Sequence, residues 1–140
     1  MYLLDTNVLS EARRPTPHAG VVAWLSRTPE SLLYLSVLVV GEIAKGIAKL
    51  PEGAQRARLA GWLERELTPR FRGRLLDLDE ETARLWGRLS GEAEAQGAPL
   101  PVIDSLLAAT ALRHELTLVT RNVRDFERYP VKLLNPWDAA

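Results

Sequence analysis

The feature that most constrains this chain is a repeated alternation. Short apolar runs recur at Tyr2-Leu3-Leu4, Leu32 to Ser36, Leu75 to Leu78, Leu116 to Val119 and Val131 to Leu134, and no two of them are joined by a two-residue turn. A strand buried on both faces of a parallel sheet reads as a near-continuous apolar run, whereas a half-exposed strand alternates. Segments with helical character fall between the runs: Val8 to Glu11, Val21 to Ser26, about Leu38 to Leu50, Ala54 to Leu67, Glu80 to Gln96, and Pro101 to about His114. Pro15-Thr16-Pro17, Pro51-Glu52-Gly53 and Gly97-Ala98-Pro99 break them. The alternation predicts an α/β fold: a central parallel sheet of about five strands flanked by helices on both faces.

The chain has 140 residues, which suits one domain over 1–140. It contains no cysteine, so disulfides, cysteine zinc sites and thiol nucleophiles are excluded. Eighteen basic residues balance eighteen acidic ones, which argues against a protein that coats nucleic acid by charge alone. No basic segment followed by an apolar one opens the chain, and no apolar run approaches a membrane span, so a cytoplasmic protein without membrane contact is expected. No glycine-rich phosphate-binding motif occurs. His18 and His114 lack partners at metal-ligand spacing.

In an open parallel sheet, strand C-termini and helix N-termini share one edge, and ligands bind there. Asp5 ends the first strand, Glu42 lies near the start of the helix after the second, and Asp104 lies in the first turn of the helix before the fourth. Thr120-Arg121-Asn122 follows the fourth strand. Asp104 falls within the arc formed by Leu107, Ala108, Ala111 and Leu112, and an acid aimed at a buried side needs a partner or neutralisation. Each acid also has a plainer explanation. Asp104 suits a helix N-terminus, Glu42 suits a surface ion pair with Lys45 or Lys49, and Asp5 suits a turn or cap.

Convergence would be costly. Two unit charges about 4 Å apart repel by roughly 4 kcal/mol at an effective dielectric near 20, in a domain stable by only about 5–15 kcal/mol. A divalent cation relieves the conflict. All-oxygen ligation favours a hard ion, Mg²⁺ or Mn²⁺, and phosphodiester hydrolysis is the natural reaction.

At these residues the chain resembles a known family. Leu3-Leu4-Asp5-Thr6-Asn7-Val8-Leu9-Ser10, Val22-Ala23-Trp24-Leu25, the segment around Glu42, Ile103-Asp104-Ser105-Leu106-Leu107-Ala108-Ala109-Thr110-Ala111, Val119-Thr120-Arg121-Asn122 and Asn135-Pro136-Trp137 together look like a PIN domain of the VapC and FitB toxin type. The resemblance covers essentially the whole chain. It implies a Mg²⁺-dependent endoribonuclease, the toxin of a toxin–antitoxin pair, hydrolysing RNA with metal-activated water. Asp5, Glu42 and Asp104 fall on the family's metal-binding acids, and Asn7 and Thr120 on supporting groups. The family often places a fourth acid where this chain has Asn122, which can hold a water but brings no charge; an acid appears instead at Asp125. The implied partners are RNA, an antitoxin protein and a second copy in a homodimer, with a higher assembly open.

Arg121 and Arg124 lie near the predicted edge as candidate RNA-phosphate contacts. Arg65, Arg70, Arg72 and Arg74 read better as a solvated loop than as an RNA rim. Trp24, Trp62, Trp86 and Trp137 read better as core or dimer-face residues than as base-stacking ones. Asn122 motivates a rival reading, a PIN-like module that binds RNA or protein without cutting. An aspartyl-phosphate phosphatase is a remoter rival, since that chemistry wants a second acid where Asn7 stands.

Overall fold

The computed structural model describes residues 1–138. Five strands, β1 (Tyr2–Leu4), β2 (Leu33–Ser36), β3 (Leu75–Leu76), β4 (Thr117–Val119) and β5 (Leu133–Leu134), form one sheet in the order β3-β2-β1-β4-β5. All four pairings are parallel, with Leu3 opposite Tyr34 on one side and Leu118 on the other. The central strands are buried as their apolar runs require: Leu3, Leu4, Leu33, Leu35, Leu118 and Val119 form the core with Phe71, Leu107 and Phe126.

The helices are α1 (Thr6–Ala12), α2 (Ala19–Arg27), α3 (Val37–Ala48), α4 (Ala54–Trp62), α5 (Thr68–Arg70), α6 (Glu80–Ala95), α7 (Val102–Arg113) and α8 (Val123–Phe126). Side chains cap several of them. Ser36 Oγ accepts from Leu38 N–H at α3, and Asp79 accepts from Thr82 N–H at α6. His18 Nδ1 accepts from Gly20 N–H, so this histidine caps α2. At α7, Pro101 occupies the cap position just outside the helix.

Several boundaries differ from those the sequence predicts; the fifth strand, for one, covers only Leu133–Leu134. Ala54 to Leu67 does not end at Leu67: a π-helical turn over Leu63–Leu67 carries the chain from α4 into α5. The third strand stops at Leu76, leaving Leu78 exposed. Helix α8 has no counterpart among the predicted segments, because four residues are too few to display a helical period.

The strand order fixes where a ligand can sit. From β1 the chain moves outward through β2 and β3 on one side, then returns to place β4 and β5 on the other. The direction of winding therefore reverses between β1 and β4, and beyond the carboxyl ends of two such strands a parallel sheet leaves a crevice. Asp5 leaves β1 and Thr120 leaves β4 at that point, joined through the Asp5 N–H to Val119 C=O bond at 2.9 Å.

Candidate active site

A cleft of about 500 Å³ opens at this switch point, lined by Asp5, Thr6, Asn7, Ser10, Glu11, Arg14, Glu42, Asp104, Arg121, Asn122 and Trp137. All three acids expected from the sequence line it, with Asn7, Arg121 and Asn122. Thr120 is buried directly beneath. Arg124 and Asp125 lie outside the lining, exposed on α8.

Thr120 organises the floor. Its Oγ1 donates to Asp5 Oδ2 at 2.8 Å and accepts from the Asn7 side-chain amide at 3.2 Å and from Asn122 N–H at 3.0 Å. The single hydroxyl proton is thus committed to Asp5. Asn7 Oδ1 in turn accepts from Arg121 N–H at 3.3 Å. Asn7 is thereby engaged in holding the loop after β4, a role suited to an amide, which both donates and accepts.

Thr6 couples two of the acids. Its backbone N–H donates to Asp5 Oδ1 at 2.7 Å, and its hydroxyl donates to Glu42 Oε1 at 3.0 Å. In the sequence Thr6 is only the residue after a strand end. The bridge to Glu42 arises because α1 and α3 pack side by side, which a linear pattern does not disclose.

All three carboxyl groups are held above the ordinary carboxylate range. Desolvation is the largest cause for each. The hydrogen bonds from Thr120 and Thr6 partly oppose it at Asp5. Glu42 reaches the exposed rim, but desolvation on its inner side and the charges of Asp5 and Asp104 push it up. Asp104 is raised further by Asp5 and by Asp125, so Asp125 acts on the site through its field without lining it. Among the described residues, none of the three carboxylates forms an ion pair with Arg or Lys. Arg14, at the rim, is engaged by the buried Glu11, which also accepts from His18 N–H at 2.9 Å.

Among the described residues, no three His, Asp or Glu side chains form a ready-made metal cage. The donor set still fits a hard divalent cation. Mg²⁺ is usually held by one or two carboxylates, retained water and substrate phosphate oxygens rather than by a closed protein cage. Mutually repelling oxygen ligands without a protein cation suit that mode.

Of the other residues singled out in the sequence, the tryptophans largely pack as expected, while two of the arginines are more engaged than a solvated loop implies. Arg70 stays at the surface, where it pairs with Glu30, whereas Arg74 is partly buried and donates to the carbonyls of Glu30, Leu33 and Arg70. They tie the segment after α5 to the start of β2. Trp24 is core, and Trp86 donates to the buried Ser105 hydroxyl at 2.9 Å. Trp62 lies under the Arg13 guanidinium. Trp137 is the exception, partly packed on the core yet reaching the cleft.

Fold and cleft define an α/β protein that presents acidic side chains at the carboxyl edge of a parallel sheet. The chain belongs to the PIN domain family, whose pattern matches residues 2–132. It is 39% identical over 137 residues to Toxin FitB of Neisseria gonorrhoeae, covering 98% of this chain and 99% of that one. It is 35% identical over 140 residues to VapC ribonuclease Y4jK of Sinorhizobium fredii, covering both chains fully. The FitAcB crystal structure from Neisseria gonorrhoeae superposes with a TM-score of 0.90 at 39% identity, covering 99% of each chain.

Proposed function

We propose that this chain is a divalent-metal-dependent endoribonuclease and the toxin of a toxin–antitoxin pair, folded as one PIN domain over residues 1–140. The observation that carries the reading is the shared cleft of Asp5, Glu42 and Asp104, three carboxylates raised by burial with no protein cation paired to them among the described residues. Relatives named as a toxin and as a ribonuclease, matched over nearly their whole length, support it.

In this reading Asp5, Glu42 and Asp104 hold Mg²⁺ or Mn²⁺. When bound, such an ion stabilises charge on phosphoryl oxygens and lowers the pKa of a water. Thr120 and Thr6 orient Asp5, and Thr6 holds Glu42 toward it. Asn122 lines the cleft as a neutral hydrogen-bonding group, and Asp125 adds negative potential from behind. Arg121 contacts the RNA backbone from the rim, with Arg124 farther out on α8.

The partners are RNA, an antitoxin that covers the acidic cleft, and a second copy of the chain. Among the described residues no helix is long and apolar enough to cross a membrane; we place the protein in the cytoplasm, where its RNA substrate lies.

The test is RNA cleavage under magnesium titration with purified wild type, Asp5→Asn and Asp104→Asn. Magnesium-dependent cutting lost in both variants supports the reading, and cutting undiminished in both refutes it. Asn122, a neutral group lining the cleft where the family often places an acid, favours one alternative, a PIN module that binds without cutting. Metal-independent RNA binding with no cleavage at any magnesium concentration would establish that alternative.

A further inference from the structure

Resting on the ribonuclease reading, we propose that Arg121 and Trp137 form a seat for a nucleobase of single-stranded RNA, beside the carboxylate cleft. Both residues line the cleft that holds Asp5, Glu42 and Asp104. The Arg121 guanidinium lies over the Trp137 ring, 5.4 Å from its centroid. The His18 ring lies 6.4 Å from the same indole, tilted by 41°.

The stack is anchored at both ends. Trp137 is half-buried, packed on the core, and its backbone N–H donates to Asn135 Oδ1 at 2.9 Å. Arg121 is fixed at its backbone, where its N–H donates to Asn7 Oδ1, and Asn7 bonds Thr120, which bonds Asp5. Three hydrogen bonds therefore join the seat to the carboxylate at the sheet edge.

A guanidinium held against an indole is an oriented plane. Arg121 is exposed beside the Trp137 ring, so its guanidinium plane is open to a flat partner and the N–H groups around its edge are open to phosphate oxygens. Single-stranded RNA offers both partners within one nucleotide, and arginine planes and aromatic rings are the usual stacking surfaces for unpaired bases. The Arg121 side chain makes no ion pair among the described residues that would compete for its donors. This differs from a simple phosphate contact, because a phosphate contact needs charge and no plane.

The experiment separates base from backbone. Fluorescence anisotropy would measure binding of a fluorescein-labelled oligoadenylate of about eight nucleotides, within the usual range of single-strand site sizes, and of the same backbone carrying abasic units. The proteins are wild type, Arg121→Lys, Arg121→Ala, Trp137→Phe and Trp137→Ala. Wild type should prefer oligoadenylate by about tenfold, the scale of one stacked base. Arg121→Lys should bind the abasic strand as wild type does and lose most of the preference. Arg121→Ala should lose the preference and weaken on both strands. Trp137→Phe should keep part of the preference.

Trp137→Ala removes packing as well as the ring, so the decisive variants are those at Arg121, whose side chain is exposed and can be altered without opening the core. Equal wild-type affinity for the two strands, no affinity for either, or a preference intact in Arg121→Ala would overturn the seat. Magnesium-dependent cleavage without base preference would overturn the seat alone. Base preference without cleavage would overturn the nuclease reading alone.

Discussion

Thr120 and Asp5 stand 115 residues apart in the chain, yet the hydroxyl of one donates to the carboxylate of the other at 2.8 Å, in the crevice where the sheet reverses its winding. That bond joins β4 to β1 at their carboxyl ends and aims Asp5 into the cleft. Because Thr120 also accepts from the Asn7 amide and the Asn122 backbone N–H, one hydroxyl holds two side chains and the backbone of the loop after β4.

Replacing Thr120 by Val keeps the shape and removes the hydroxyl. Asp5 loses a donor, and Asn7 and the Asn122 N–H lose an acceptor, so stability should fall by about 1–3 kcal/mol in urea unfolding. Groups that orient a metal ligand typically affect metal affinity or activity by about 10–100-fold, and the magnesium dependence of cleavage should shift by that order. Thr120→Ser should retain most of both.

Asn122→Asp adds a fourth carboxylate to the cleft. Metal affinity rises with the charge of the ligand set, so Mn²⁺ binding should tighten by about tenfold. In chelator the same variant should melt below wild type, since it adds repulsion with nothing to relieve it. A calorimetric metal titration paired with melting curves in EDTA reads both effects.

The pH dependence has a definite sign. Asp5, Glu42 and Asp104 are raised, chiefly by desolvation. Each therefore binds its proton more readily in the folded state than in the unfolded one, favouring folding below the ordinary carboxylate pKa of about 4. That contribution is lost as pH rises through the raised folded value. Glu11, Glu30 and Asp79 are lowered and act oppositely, so the informative quantity is a difference between proteins. Without metal, Asp104→Asn should melt above wild type at about pH 7.5, with the gap closing toward about pH 4. Saturating Mg²⁺ should erase or reverse that gap by stabilising wild type selectively.

Arg74 supplies a contrast from outside the cleft. Its guanidinium satisfies three carbonyls, and Arg74→Ala should cost about 1–3 kcal/mol of stability. RNA cleavage per folded molecule should not change. A selective loss of kcat/KM in a folded Arg74→Ala protein would return this arginine to the substrate path.

The apolar runs disclose the sheet because a strand buried on both faces has no room for polar alternation; Leu3, Leu35 and Leu118 bear this out. Asp5, Glu42 and Asp104 are legible because strand ends and helix starts share one edge in any parallel sheet. What stays hidden depends on neighbours distant in sequence. Thr6 meets Glu42 through helix packing, Arg74 meets Leu33 through the placement of β3 beside β2, and Trp137 meets Arg121 because β5 pairs beside β4 with Leu134 opposite Val119. Helix α8 and the π-helical turn are too short to leave a period.

The central claim is tested most directly by titrating Mn²⁺ into wild type, Asp5→Asn and Asp104→Asn at neutral pH, following water-proton relaxation, with circular dichroism to establish that each variant is folded. Binding by wild type that weakens at least about tenfold in both variants is the predicted result. Equal Mn²⁺ affinity in all three folded proteins would contradict it.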